Sequence, residues 1–284
     1  MHNNLLAIVF ALLSALTIAW GTVVRHRIAE ESPNDGSLEG SPLWRAVSRP
    51  LWWAGTGTAL LGYGLQIVAL GFGTLLVVQP ILVLSLMFTI PLSARYNGTK
   101  VSQVEVFWSA ALTAAVAILV LVGRPTAGDP FPPLRLWLIA LGVGAVVMLG
   151  LIRLARHLMR GERALLLGIV TGGIFGYVAL LSKAVVDIAL NDGPLALLTT
   201  WEGYGLVAGA ALGTIVQQYS FNAGALRKSL PAMTVTEPLV AFGLGYVVLG
   251  ESFQVSSWGG WLVMALAVVT MVLSTFALSR RSAG

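Results

Sequence analysis

The fold class the sequence predicts is an all-α, polytopic membrane protein with nine transmembrane helices in an inverted 4+1+4 repeat. Three observations carry it. Of 284 residues, 57% are hydrophobic and 10% charged, where soluble domains carry about 25% charge. Apolar runs of about 17–25 residues, the length that crosses a bilayer, recur along the whole chain. Twice inside such a run a polar side chain directly precedes a proline, at Gln79–Pro80 and at Glu237–Pro238.

The spans follow in order. Leu5–Val24 could pass for a signal peptide, but no Lys or Arg precedes it and its apolar run is long, so it reads as a retained first helix. Arg25–Pro50 mixes acids, bases, Ser, Pro, Asn and Gly and reads as a flexible solvated connector. Leu51–Gly71 is a glycine-rich span. Thr74–Arg95 carries Gln79–Pro80, and its proline should kink it. Gln103–Val122 closes the first set, and Leu134–Leu154 stands alone as a spacer. Ala164–Leu190 carries Gly168, Gly172 and Gly176. Gly203–Phe221 carries Gly205, Gly209 and Gly213. A glycine at every fourth position leaves a flat ridge for another helix, so these two spans are expected in the protein interior. Leu230–Leu249 holds Glu237–Pro238, and Ser257–Leu278 ends the second set.

Orientation follows from the basic residues. Fourteen fall on one side: Arg25, Arg27, Arg45, Arg49, Arg95, Lys100, Arg153, Arg156, Arg160, Arg163, Arg227, Lys228, Arg280 and Arg281. Only Arg124 and Arg135 fall on the other. The positive-inside rule then places the N-terminus outside and the C-terminus in the cytoplasm of a cell membrane, which requires an odd number of spans. The chain is a single transmembrane domain: repeat A over 5–122, the spacer over 134–154 and repeat B over 164–278. A single spacer makes the second set enter the membrane from the opposite side. Inverted repeats of this kind place a site near the midplane, at the repeat interface.

Candidate site residues follow from cost. A charged, unpaired carboxylate inside the bilayer costs at least about 2.5 kcal/mol. Glu237, roughly 12 Å deep at 1.5 Å per residue, is therefore a proton or cation site, or else a neutral partner of backbone freed by Pro238. Gln79 is its counterpart and cannot titrate. Gln217, Gln218 and Asn222 either line a polar path or mark a helix end; Gln66 and Ser85 are weaker candidates. Lys183 and Asp187 have the spacing of a same-face ion pair. Asp129, Asp187, Asp192, Glu202 and Glu251 give the outer face an acidic bias that favours cations, or are solvated loop charges. Tryptophans such as Trp201, Trp258 and Trp261 mostly fall at span ends, as interfacial anchors.

Other chemistry is not expected. The net charge of +5 records basic loops rather than a nucleic-acid partner, and cysteine is absent. There is no GxxxxGK[ST] phosphate loop. His2, His26 and His157 lack metal-ligand spacing, and no carboxylates are paired for catalysis. No enzyme activity and no cofactor are expected. The partners left are the lipid bilayer, a small-molecule or cation substrate, and a second copy of the chain as a homodimer.

Two stretches carry a family resemblance. Residues 237–269, EPLVAFGLGYVVLGESFQVSSWGGWLVMALAVV, resemble the closing segment of EamA-like repeats in the drug/metabolite transporter superfamily: a proline helix, a Gly-Glu turn at Gly250–Glu251, then a helix with an early glycine, Gly259. The first half, from LWWAG through ALGFGTLLVVQPILVL to Val122, resembles the NIPA-type magnesium transporter branch, which also has nine spans. The first repeat departs from the family, with Ser93, Ala94 and Arg95 where the turn would offer a glutamate. The resemblance implies a secondary transporter working by alternating access. Alternatives are a Mg²⁺ pathway in which Glu237 is a metal ligand, a flippase for a lipid-linked substrate, and a non-transporting membrane scaffold.

Overall fold

In a computed structural model, residues 3–30, 50–96, 98, 100–223 and 226–282 are described. They form ten α-helices, a 3₁₀-helix at Pro194–Leu198, and two two-residue strands. The helices are α1 (Asn4–Glu30), α2 (Pro50–Phe72), α3 (Leu75–Val83), α4 (Ser85–Tyr96), α5 (Gln103–Leu121), α6 (Leu134–Ala155), α7 (Arg160–Asn191), α8 (Trp201–Asn222), α9 (Leu226–Val247) and α10 (Trp258–Ser282). Strands β1 (Pro125–Thr126) and β2 (Ser252–Phe253) pair antiparallel. The protein is thus all-α and polytopic. The connector expected at Arg25–Pro50 starts later, because α1 runs to Glu30; residues 31–49 lie outside the described ones.

Seven helical stretches, not nine, are long and apolar enough to cross a membrane among the described residues. They lie on α1, on α3 and α4 together, and on α5, α6, α7, α9 and α10. On α2, which has 23 residues, the apolar stretch found among the described residues is Leu60–Phe72. α8 has 22 residues but is diluted by Glu202, Gln217, Gln218, Asn222 and its glycines.

α7 is the organising helix. It has 32 residues, roughly 48 Å at 1.5 Å per residue, and its apolar stretch is mostly buried. It packs against α9, α8, α6 and α2. α1 packs against α2, α3 and α4, and α10 packs against α5, α9 and α4. On α1, Ala7, Ala11, Ala15 and Ala19 are fully buried at every fourth position, and Ser14 Oγ donates to the Gly62 carbonyl of α2 at 2.7 Å. Small side chains at that spacing let two backbones approach.

The two proline helices differ from expectation in different ways. The span expected at Thr74–Arg95 is two helices, and the break is at Leu84, one turn after Pro80. There the ladder tightens, Leu84 N–H bonding the Ile81 carbonyl at 3.0 Å, the three-residue step common where a helix ends. α9 instead runs unbroken through both Pro231 and Pro238. It also starts four residues earlier than expected, which places Arg227 and Lys228 in its first turn rather than in a loop.

Candidate functional site

The two glycine rows lie on helix contacts. A Cβ on Gly168 would stand 2.5 Å from the Ser229 carbonyl oxygen of α9, and one on Gly172 would stand 2.5 Å from that of Met233. At Gly176 it would meet Val240 Cβ at 2.7 Å and the Glu237 carbonyl oxygen at 3.1 Å. α7 and α9 therefore touch backbone to backbone along the turn that carries Glu237. The second row is looser: Gly209 and Gly213 face Val178 and Ile174 of α7 at 3.2 Å, and Gly205 faces Leu181 at 3.5 Å. α8 is not an interior helix. Tyr204, Val207, Leu212, Ile215 and Tyr219 are exposed on its other face, because one glycine ridge serves one neighbour only.

The predicted polar residues have different fates. Gln79 and Pro80 of α3 are buried, and Gln79 Nε2 has no hydrogen-bond partner. Glu237 is half-buried and Pro238 buried. Thr234 Oγ1, one turn before Pro238, donates to the Leu230 carbonyl at 2.7 Å. α3 and α9 are in contact, with Leu75 3.4 Å from the position a Cβ on Gly245 would take. Gln217 Nε2 donates to Met233 Sδ at 3.2 Å, so it closes the α8–α9 contact, while Gln218 is exposed. Asn222 is the last residue of α8, and its side chain lies outside the described ones. Gln66 is buried and Ser85 half-buried.

A second polar locus lies at the end of the bundle that carries β1 and β2, the clasp end. Besides the strand pair, Gln254 N–H bonds the Gly123 carbonyl at 2.9 Å, and Asp129 N–H bonds that of Leu249 at 2.6 Å. Gly128 must be glycine, since a Cβ there would overlap the Leu249 carbonyl. Gly250 has φ +68°, the left-handed conformation that ends helices. It turns the chain so that Glu251 N–H reaches the Gly245 carbonyl at 3.0 Å.

Glu251 then points inward, 1% exposed. Its Oε1 accepts from Leu75 N–H at 2.9 Å and its Oε2 from Leu76 N–H at 3.0 Å. Together with Thr74 Oγ1, which accepts from Val77 N–H at 3.3 Å, it satisfies the start of α3. Beside it Lys183 Nζ donates to Asp187 Oδ1 at 2.8 Å and to the Leu70 carbonyl at 2.9 Å. Lys183 and Asp187 are both buried, so the expected i,i+4 pair forms inside the protein.

These groups floor a cavity of about 310 Å³. Lys183, Asp187, Glu251 and Leu249 are its buried wall, and Ala127, Asp129, Pro130 and Leu190 are its exposed rim. Of the acidic residues expected on this face, Asp129, Asp187 and Glu251 line the cavity, and Asp192 and Glu202 do not. Glu251 and Asp187 are not solvated loop charges. The sequence signal for Glu251 was the Gly-Glu turn, but its partners lie 175 and 176 residues away. Among the described residues, no three His, Cys, Asp or Glu side chains gather to hold a metal ion.

The chain is 61% identical over 282 residues to an uncharacterized protein of Corynebacterium glutamicum, covering 99% of this chain and 97% of that one. The chain belongs to the family of that protein. No family model matches it, and no solved structure matches it. Its relative is therefore a protein of nearly the same length, matched along almost the whole of this chain.

Proposed function

We propose that this protein is a secondary transporter of the drug/metabolite transporter superfamily, moving a small solute or cation across the membrane by alternating access. The observation that carries the reading is Gln79. A side-chain amide 2% exposed, with Nε2 unpartnered, sits beside a proline in a broken helix at the heart of the bundle. Buried polar atoms are nearly always satisfied, so this donor is the group a bound solute or water would complete.

The pairing of helices supports the repeat. α1 packs on α2 as α7 packs on α8; α1 packs on α3 and α4 as α7 packs on α9; α5 and α10 pack on each other; and α6 packs chiefly on α7. In that scheme α2 and α8 complete nine spans, α6 is the unpaired spacer, and the clasp end faces outside. Gln79 and Glu237 are counterparts lining one site, Glu237 carrying the coupling proton or part of a cation site.

Flux into liposomes holding the purified protein tests this, with an imposed pH gradient and Mg²⁺ measured side by side. Glu237→Gln keeps the shape and removes titration. It should fold and insert, yet lose flux driven by the pH gradient or dependent on a cation. Flux as in the unsubstituted protein, with its pH dependence intact, would make Glu237 a structural partner of Pro238. Saturable Mg²⁺ flux would favour the magnesium pathway instead.

A further inference from the structure

The clasp-end cavity differs from an ordinary surface cleft in having a charged and buried floor. Lys183, Asp187 and Glu251 all line it, and they are 4%, 8% and 1% exposed. Asp129 adds a third carboxylate at the exposed rim. Three carboxylates thus surround one ammonium, and the space between them carries a negative potential. Neither Gln79 nor Glu237 lines this cavity.

Its hydrogen-bonding capacity has the same bias. A carboxylate offers about four acceptor positions. Glu251 spends one on the Leu75 amide and one on the Leu76 amide. Asp129 Oδ1 accepts from Phe131 N–H at 2.9 Å. Donors on the wall are fewer. Lys183 gives N–H groups to Asp187 and to the Leu70 carbonyl, and Asn191 Nδ2 donates to the Asp187 carbonyl at 2.8 Å. The volume of about 310 Å³ is roughly ten times the share of one water in the liquid. A bare metal ion needs oxygens that converge on one point, and among the described residues no three carboxylates do so. A cation with a carbon body and several N–H donors meets spread-out acceptors better.

We propose that the clasp-end cavity binds a small aliphatic amine, its ammonium N–H groups held by Glu251, Asp187 and Asp129. Leu190, Leu249 and Pro130 supply apolar wall for its carbon chain. The bonds are charge-assisted on both sides, the stronger kind. A quaternary ammonium has the charge without the donors and binds less well. This goes beyond the transport reading: the site is a second place on the chain, and it stands whether or not Glu237 couples flux.

Titration calorimetry of the purified protein in detergent tests it, with putrescine, a four-carbon diamine, as the probe. The measurement is made at about pH 8, where Glu251, pushed up by burial to about 7, is ionised. Putrescine should bind saturably with Kd below about 1 mM, and about tenfold tighter than tetramethylammonium or Mg²⁺. Leu190→Lys sets an ammonium on the exposed rim and should weaken binding about tenfold. Asp129→Asn keeps an acceptor for Phe131 N–H and should weaken it about threefold. Glu237→Gln should leave it unchanged. No saturable putrescine binding, equally tight tetramethylammonium or Mg²⁺, an affinity untouched by Leu190→Lys, or one lost in Glu237→Gln overturns the proposal. Hydrogen exchange in the unsubstituted protein locates the ligand without a variant. Saturating putrescine should slow exchange at residues 127–129 and 249–251, and unchanged exchange there equally overturns it.

Discussion

The α3–α4 segment and α9 each carry a polar residue followed by a proline, and they resolve it in different ways. After Pro80 the helix breaks at Leu84, while α9 continues through Pro238. What differs is the support around them. α3 is a nine-residue helix whose first amides are satisfied by Thr74 and by Glu251 from the other half of the chain. α9 lies along the Gly168–Gly172–Gly176 ridge of α7, backbone against backbone. A short helix capped from outside can tilt as a unit; a helix pressed along its length cannot. The proline makes bending available, and the neighbours decide whether it is used.

The largest test of that contrast is Gly172→Leu. Its Cβ would stand 2.5 Å from the Met233 carbonyl oxygen and 2.9 Å from Thr236 Cβ, and neither can move without moving α9. Overpacking of this kind costs about 1–3 kcal/mol and occasionally more. The variant should lose most of its monodisperse yield in detergent. Gly209→Ala, whose Cβ meets the flexible Val178 side chain at 3.2 Å, should cost under about 1 kcal/mol. Equal losses in the two variants would show that α9 is held no more tightly than α8.

Next is Glu251→Ala, which leaves the Leu75 and Leu76 amides without their buried acceptor. An unsatisfied buried donor costs about 1–3 kcal/mol. Thermal unfolding in detergent should show a lower midpoint, with faster hydrogen exchange over α3 and little change over α9. Protection lost equally from both would mean that Glu251 holds the whole bundle rather than one helix. The pH dependence has a definite sign. Because the folded carboxyl is raised to about 7, stability from this group is full below 4.5 and falls as pH rises toward 7. Glu251→Gln should remove that slope.

These contrasts also mark what the sequence could show. The polar-proline positions, the glycine rows and the Lys183–Asp187 pair rest on spacing within one helix, and periodicity reveals such spacing. Long apolar runs show a membrane bundle for the same reason. The place of the break, at Leu84 rather than Pro80, depends on what surrounds α3. Nothing local in Glu251 says that it reaches Leu75 and Leu76, because only the folded chain sets that register. α8 misled for a related reason: a glycine row shows that one face is packed and says nothing of the opposite face, which is exposed.

The smallest expected effect has the opposite sign. Gln79 is 2% exposed and its Nε2 is unpartnered, so its amide costs stability where it sits. Gln79→Leu replaces it with an apolar side chain of similar bulk. Removing an unsatisfied buried donor should leave stability unchanged or raise it by about 1 kcal/mol, seen as a slightly higher thermal midpoint. Flux in liposomes should fall, though less than in Glu237→Gln, because no protonation event is lost. A residue kept at a cost to the fold is expected where function needs it. If Gln79→Leu instead destabilises by more than about 1 kcal/mol and leaves flux intact, the amide holds the broken helix together. The contrast between α3 and α9 would then be one of construction alone.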